Sequence, residues 1–168
     1  MLQATLLLAL QSGYAASDLP TLERYTFELE PGAELGAALE NVGDWNADGI
    51  DDYAVGSPSH NFQDLFGAIN DHGRVEVRSG ADDSVIASTG KLFNNDGARL
   101  GVEIAGGFDV DQDGQPELAA TVEGLEQVIV FERSLLPQNF LSPVATLSAS
   151  STASLVERSF GAALANVG

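Results

Sequence analysis

The chain repeats itself, and that restricts its architecture more than any other feature it carries. Residues 34–43 read ELGAALENVG, residues 99–108 read RLGVEIAGGF, and residues 159–168 read SFGAALANVG. The step from Leu35 to Leu100 is 65 residues and that from Leu100 to Phe160 is 60. A fixed period of this order marks propeller blades and other arrays, in which each unit buries its apolar face only against a neighbour.

The first two copies run into an acidic turn and then into short apolar or alternating segments. After the first turn come Tyr53-Ala54-Val55, residues 74–78 (RVEVR) and residues 84–88 (SVIAS). After the second come residues 118–122 (LAATV), 127–131 (QVIVF) and 144–147 (VATL). Upstream, residues 25–29 (YTFEL) occupy the place of the last strand of a repeat. Short strands at regular spacing, separated by Gly and Asp turns, predict an all-β fold. Leu35, Ala38, Leu39 and Val42 also fit a helical stripe. The second copy decides for strand, because Val102, Ile104 and Phe108 alternate and Gly101, Gly106 and Gly107 are poor helix residues.

The two acidic turns carry the chemistry. The first is residues 44–52, DWNADGIDD, and the second is residues 109–117, DVDQDGQPE. Both place oxygen-bearing side chains at positions 1, 3, 5 and 9, with glycine at position 6. Calcium takes six to eight oxygen ligands, and one tight loop can supply most of them. Glycine allows the sharp bend, and the carbonyls of Ile50 and Gln115 at position 7 would complete the shell. An EF-hand loop needs an acid at position 12 and flanking helices. Position 12 here is Val55 in one loop and Ala120 in the other, both in strand-like runs, which excludes that motif. One such turn could be an ordinary Asp/Gly turn; two, at equivalent places in a repeat, favour cation loops.

Charge balance agrees and narrows the partners. Asp and Glu number 25 against 7 Lys and Arg, a formal net charge of -18, which repels nucleic-acid phosphates and anionic lipid. The absence of cysteine removes disulfides, thiolate metal sites and cysteine nucleophiles. The apolar run of residues 4–10 is too short to span a bilayer. With Ala15-Ala16-Ser17 it reads as a signal peptide over residues 1–17, although no Lys or Arg precedes Arg24. No Ser/His/Asp order and no catalytic carboxylate pair stands out, so no enzyme is expected. His60 and His72 fall in the connection 58–73 with Phe62 and Phe66, and read as part of an ordinary polar loop.

These motifs resemble the FG-GAP repeats of integrin α-subunit propellers and of many bacterial surface proteins. Phe160-Gly161 matches the Phe-Gly start, Leu35-Gly36 and Leu100-Gly101 match it with Leu for Phe, and Gly56-Ser57-Pro58 stands for Gly-Ala-Pro. The resemblance covers about residues 29–168. It implies a propeller of four-stranded antiparallel blades, here a partial one, with calcium (Ca2+) held in strand-connecting loops on one face and partner-binding loops on the other. Carried over residue by residue, the calcium ligands are Asp44, Asn46, Asp48, Ile50 and Asp52, then Asp109, Asp111, Asp113, Gln115 and Glu117. The implied layout is an outer strand in 18–33, one repeat over 34–98, a second over 99–158 and the start of a third over 159–168, with the chain ending inside that third repeat. Thr121-Val122-Glu123 replaces the second Gly-Ala-Pro, which predicts a different turn there, and Pro116-Glu117 replaces the residues favoured by the family. The implied function is that of a secreted or surface-displayed scaffold for binding or adhesion, with structural calcium and another protein or extracellular ligand as partner. The alternative is an accessory propeller of a larger secreted hydrolase whose catalytic residues lie elsewhere.

Overall fold

A computed structural model describes residues 31–134, 139–148 and 160–166. The expected signal segment 1–17, the strand expected at 25–29 and the end of the second repeat lie outside these residues. The described chain is all β, with ten strands and one short 3-10 turn. Strands β1 (Leu39–Gly43), β2 (Asp52–Ser57), β5 (Arg74–Arg78) and β6 (Val85–Ser88) form one antiparallel sheet in the order β1-β2-β5-β6. Strands β7 (Leu100–Phe108), β8 (Glu117–Val122), β9 (Gln127–Arg133) and β10 (Leu141–Ser148) form the second, in the order β7-β8-β9-β10. Each sheet is thus an up-and-down blade that begins with one copy of the repeat, as a partial propeller requires.

Alternation explains β5. Val75 and Val77 enter the core, while Arg74, Glu76 and Arg78 share the other face and pair, Glu76 taking Arg74 at 2.9 Å and Arg78 at 2.7 Å. Strand β8 is buried along its whole length, and its continuous run Leu118-Ala119-Ala120-Thr121-Val122 is the pattern of a strand covered on both faces.

The two blades share a core in which Val42, Trp45, Ala54, Val75 and Val77 of the first meet Leu100, Ile104, Leu118 and Phe131 of the second. Strand β7 is the contact element, lying against β1, β2 and β5. Close approach depends on glycine. A Cβ on Gly56 would lie 2.0 Å from the Gly101 carbonyl oxygen, and one on Gly106 would lie 2.5 Å from Val42 Cγ1. The third copy docks on the second blade in the same way. A Cβ on Gly161 would meet Thr121 and Val128 at 2.9 Å, and Asn166 donates from its side-chain amide to the Gly106 carbonyl at 3.2 Å.

Two expectations need correction, and the different turn expected at residues 121–123 is present. The segment 34–43 is a strand only from Leu39; residues 35 and 36 form a turn, still tied to β2 by Gly36 N–H to the Gly56 carbonyl at 2.9 Å. The connection 58–73 is not a plain polar loop. It contains a small hairpin of β3 (Phe62–Asp64) and β4 (Gly67–Ile69), and His72 at its end is fully buried. Where Thr121-Val122-Glu123 replaces Gly-Ala-Pro, the chain forms a 3-10 turn, Glu123–Leu125, which Glu126 ends in the left-handed region at φ 52°.

Candidate functional site

Both acidic loops occupy the turn between the first and second strands of their blade, so both open at the same end of the sheets. A bulge precedes each of them. The β1–β2 register shifts between Asn41 and Gly43, and the β7–β8 register shifts between the equivalent Gly106 and Phe108. A bulge bends and twists its strand, and at this place it directs the chain into the loop.

Inside the loops the same hydrogen bonds recur. The position 5 N–H donates to position 1, Asp48 to Asp44 at 3.0 Å and Asp113 to Asp109 at 3.1 Å. It also donates to position 3, Asp48 to Asn46 at 2.9 Å and Asp113 to Asp111 at 3.1 Å. The position 6 N–H donates to the other oxygen of position 1, Gly49 to Asp44 at 2.8 Å and Gly114 to Asp109 at 3.0 Å. The position 7 N–H donates to position 5, Ile50 to Asp48 at 2.8 Å and Gln115 to Asp113 at 2.7 Å. Ala47 and Gln112 at position 4 both take left-handed backbone at φ 63°. One backbone form therefore serves two different sequences, because the side chains at positions 1, 3 and 5 fold inward onto the N–H groups of the turn.

Position 9 is buried in both loops and closes each one. Asp52 accepts the N–H groups of Trp45 at 2.8 Å and Asn46 at 3.1 Å through one oxygen, and that of Gly80 at 3.0 Å through the other. It thereby joins the loop to the β5–β6 turn. Glu117 accepts the N–H of Val110. In the second loop Asp109, Asp111, Asp113 and Glu117 bring one carboxylate oxygen each to within 4.8 Å of one another. Burial pushes the Glu117 carboxyl above its ordinary value; the Val110 N–H draws it back, and the charges of Asp111, Asp109 and Asp113 add to the rise. Among the described residues this is the one such convergence of His, Cys, Asp and Glu side chains. The first loop has the neutral Asn46 at position 3, and Asn46 donates to Asp48 at 2.9 Å.

The donor set fits a hard cation. Every converging atom is a carboxylate oxygen, none is sulfur or imidazole nitrogen, and burial and the neighbouring carboxylates oppose ionisation of the buried member, a cost that a divalent ion would offset. Asp44, Asn46 and Asp48, and likewise Asp109, Asp111 and Asp113, lie in the loops, while Asp52 and Glu117 are the first residues of β2 and β8; among the described residues only the second-loop carboxylates form a convergent group.

Sequence reasoning missed the supports. Asn41 caps the bulge through the Gly43 N–H at 2.8 Å and holds Asp51 at 3.1 Å. Arg133 of the second blade donates to the Trp45 carbonyl at 3.0 Å, so the first loop is also bonded to the neighbouring blade. Asn41 recurs as Asn166 in the third copy, a signal that could have marked it; nothing in the sequence pairs Arg133 with Trp45.

No family model matches the chain. Among curated proteins it is 31% identical over 88 residues to integrin alpha-6 of Gallus gallus, covering 51% of this chain and 7% of that protein. It is 27% identical over 120 residues to integrin alpha-IIb of Homo sapiens, covering 65% of this chain and 11% of that protein. Homo sapiens integrin alpha-6 matches at 31% over 85 residues. The chain is therefore similar to a segment of integrin α chains, in keeping with the FG-GAP resemblance, and it spans only 7% to 11% of the length of these relatives.

Proposed function

We propose, from this likeness and from the paired loops, that the chain is a calcium-binding piece of a β-propeller that serves outside the cell as a scaffold for adhesion or ligand binding. Calcium is structural in this reading: it neutralises the inward carboxylates and fixes the first turn of each blade. Ligands would be Asp44, Asn46, Asp48, Asp52 and the Ile50 carbonyl in the first loop, and Asp109, Asp111, Asp113, Glu117 and the Gln115 carbonyl in the second. The observation that carries the reading is the repetition of one hydrogen-bonded loop form at the same turn of two blades, with four carboxylates convergent in the second. Partners would be extracellular proteins or ligands engaging the opposite end, where the 58–73 connection lies; no catalytic step is assigned to the chain. Among the described residues no helix is long and apolar enough to cross a membrane.

Titration calorimetry of the chain with Ca2+ tests the proposal. Two sites are expected, the second loop binding more tightly because it offers four carboxylates against three, with affinities in the extracellular range of roughly 10⁻⁴–10⁻³ M. Asp113→Ala should remove the tighter site and Asp48→Ala the weaker. Absence of heat in folded protein at millimolar calcium overturns the reading.

A further inference from the structure

At the end of the blades away from the acidic loops, one buried imidazole joins three segments. His72 is fully buried, between Phe62 at a ring-centroid distance of 5.5 Å and Phe93 at 5.4 Å. Its Nδ1 lies 2.7 Å from the Gly73 carbonyl oxygen, and a carbonyl can only accept, so Nδ1 carries the proton. Its Nε2 faces two donors, the backbone N–H groups of Leu92 at 3.1 Å and Phe93 at 3.3 Å, and so must accept. The partners on both sides fix one neutral tautomer. The backbone around the ring continues the tie. The His72 carbonyl accepts the Leu100 N–H at 3.2 Å, the Gly73 N–H donates to the His60 carbonyl at 3.0 Å, and the Arg99 N–H donates to the Asp71 carbonyl at 2.9 Å. The 58–73 connection, the 89–98 segment and the start of β7 are thus held at one point.

We propose that His72 is a proton-operated latch on this end of the protein, releasing residues 89–98 and the β3–β4 connection together at mildly acidic pH. Protonation puts a third N–H, on Nε2, against the two already pointing there, and the ring is too buried for water to accept that new proton. Burial lowers the affinity of His72 for a proton, its bond to the Gly73 carbonyl raises it, and the Lys91 ammonium lowers it further. The other ionisable residues of segments 58–73 and 89–99 are His60, Asp64, Asp71, Asp96 and Arg99, and Arg74 follows Gly73. Arg74 is paired with Glu76, and Arg99 with Glu34 and Glu123. Because the folded value lies below the unfolded 6.5, neutral His72 stabilises fully above that pH; the contribution falls as pH drops from there towards the lowered value. Phe62 and Gly73, which the ring touches, also line a shallow cleft of about 240 Å³ with His60, Arg74, Thr89 and Gly90. Opening the latch would reshape that cleft.

Amide hydrogen exchange read by NMR on the 168-residue chain in saturating calcium tests the latch. Between about pH 7 and pH 5, protection factors of Leu92 and Phe93 should fall at least about tenfold while those of Val77 and Ala120 hold. Imidazole nitrogen spectra should show the Nδ1–H tautomer at neutral pH. In His72→Gln, which cannot titrate, the pH dependence should disappear. Protection that does not change down to that lower pH, an Nε2–H tautomer, or an equal loss in His72→Gln overturns the proposal. If His72→Gln does not fold, the tautomer and the protection profile of the parent chain decide alone.

Discussion

Replacing Asp52 by alanine isolates what the loop architecture contributes before any cation binds. The Asp52 carboxylate is 1% exposed and accepts three backbone N–H groups, those of Trp45, Asn46 and Gly80. The Trp45 bond is buried, so its orphaned N–H should cost about 1–3 kcal/mol. The Asn46 and Gly80 bonds are partly exposed, water can replace the acceptor, and each loss should cost about 0.5–1 kcal/mol. The sum is roughly 2–5 kcal/mol, and at about 3 kcal/mol the folding equilibrium shifts by on the order of 100-fold. Urea unfolding with excess chelator would measure it, followed by circular dichroism and by emission of Trp45, the sole tryptophan. With a urea slope of about 2 kcal/mol/M, the midpoint should fall by about 1.5 M. Asp52→Asn keeps one accepting oxygen and should lose about half as much. A loss below about 0.5 kcal/mol in Asp52→Ala, or equal losses in both variants, would refute the assignment of this carboxylate as the acceptor that holds the loop closed.

The second loop should behave in the opposite sense: Glu117→Gln removes a carboxylate whose charge is disfavoured by burial and by Asp111, Asp109 and Asp113, so it should raise the urea midpoint at pH 7 in chelator and lower it in calcium. Because the Glu117 value is raised in the folded state, its destabilisation of the calcium-free chain should be relieved as pH falls through that value towards the ordinary 4.5, and pH-dependent unfolding checks the sign. Gly101→Ala should destabilise more than Gly36→Ala in thermal unfolding: both backbones sit near φ 90°, but a Cβ at 101 meets Val75 at 3.0 Å whereas one at 36 meets nothing within 4 Å. Arg99→Ala should cost no more than about 1 kcal/mol and less in high salt, because Glu34 and Glu123 are themselves half exposed. Ala47→Gly should stabilise the chain by up to about 1 kcal/mol by removing left-handed strain at φ 63°, measured in chelator.

What the sequence determined by itself is local. Alternation in 74–78 and the apolar run 118–122 announce strands because side-chain direction has a period of two along the chain, whatever the neighbours are. The loop residues are legible for the same reason: all members of each set lie within nine residues, and their mutual geometry is a property of one turn. The repeat likewise announced two equivalent units before any packing was known. Tertiary structure decided everything that joins residues distant in sequence. Leu39 and Ile104 hold the same place in the repeat, yet one is 37% exposed and the other 5%, because among the described residues a blade lies only on the second. Trp45 and Val110 share position 2 of their loops at 1% and 68% exposure, since the first loop lies against the neighbouring blade and receives Arg133. The helical-looking stripe at 35–42 resolved into a turn and a strand through pairing with β2, which no periodicity within the segment could specify. His72 reads as a loop residue until Phe62 and Phe93 enclose its ring and the N–H groups of Leu92 and Phe93 meet it from 20 and 21 residues away. Burial and hydrogen bonding between remote segments depend on which surfaces the fold brings face to face, and that information resides in the packed chain rather than in any window of its sequence.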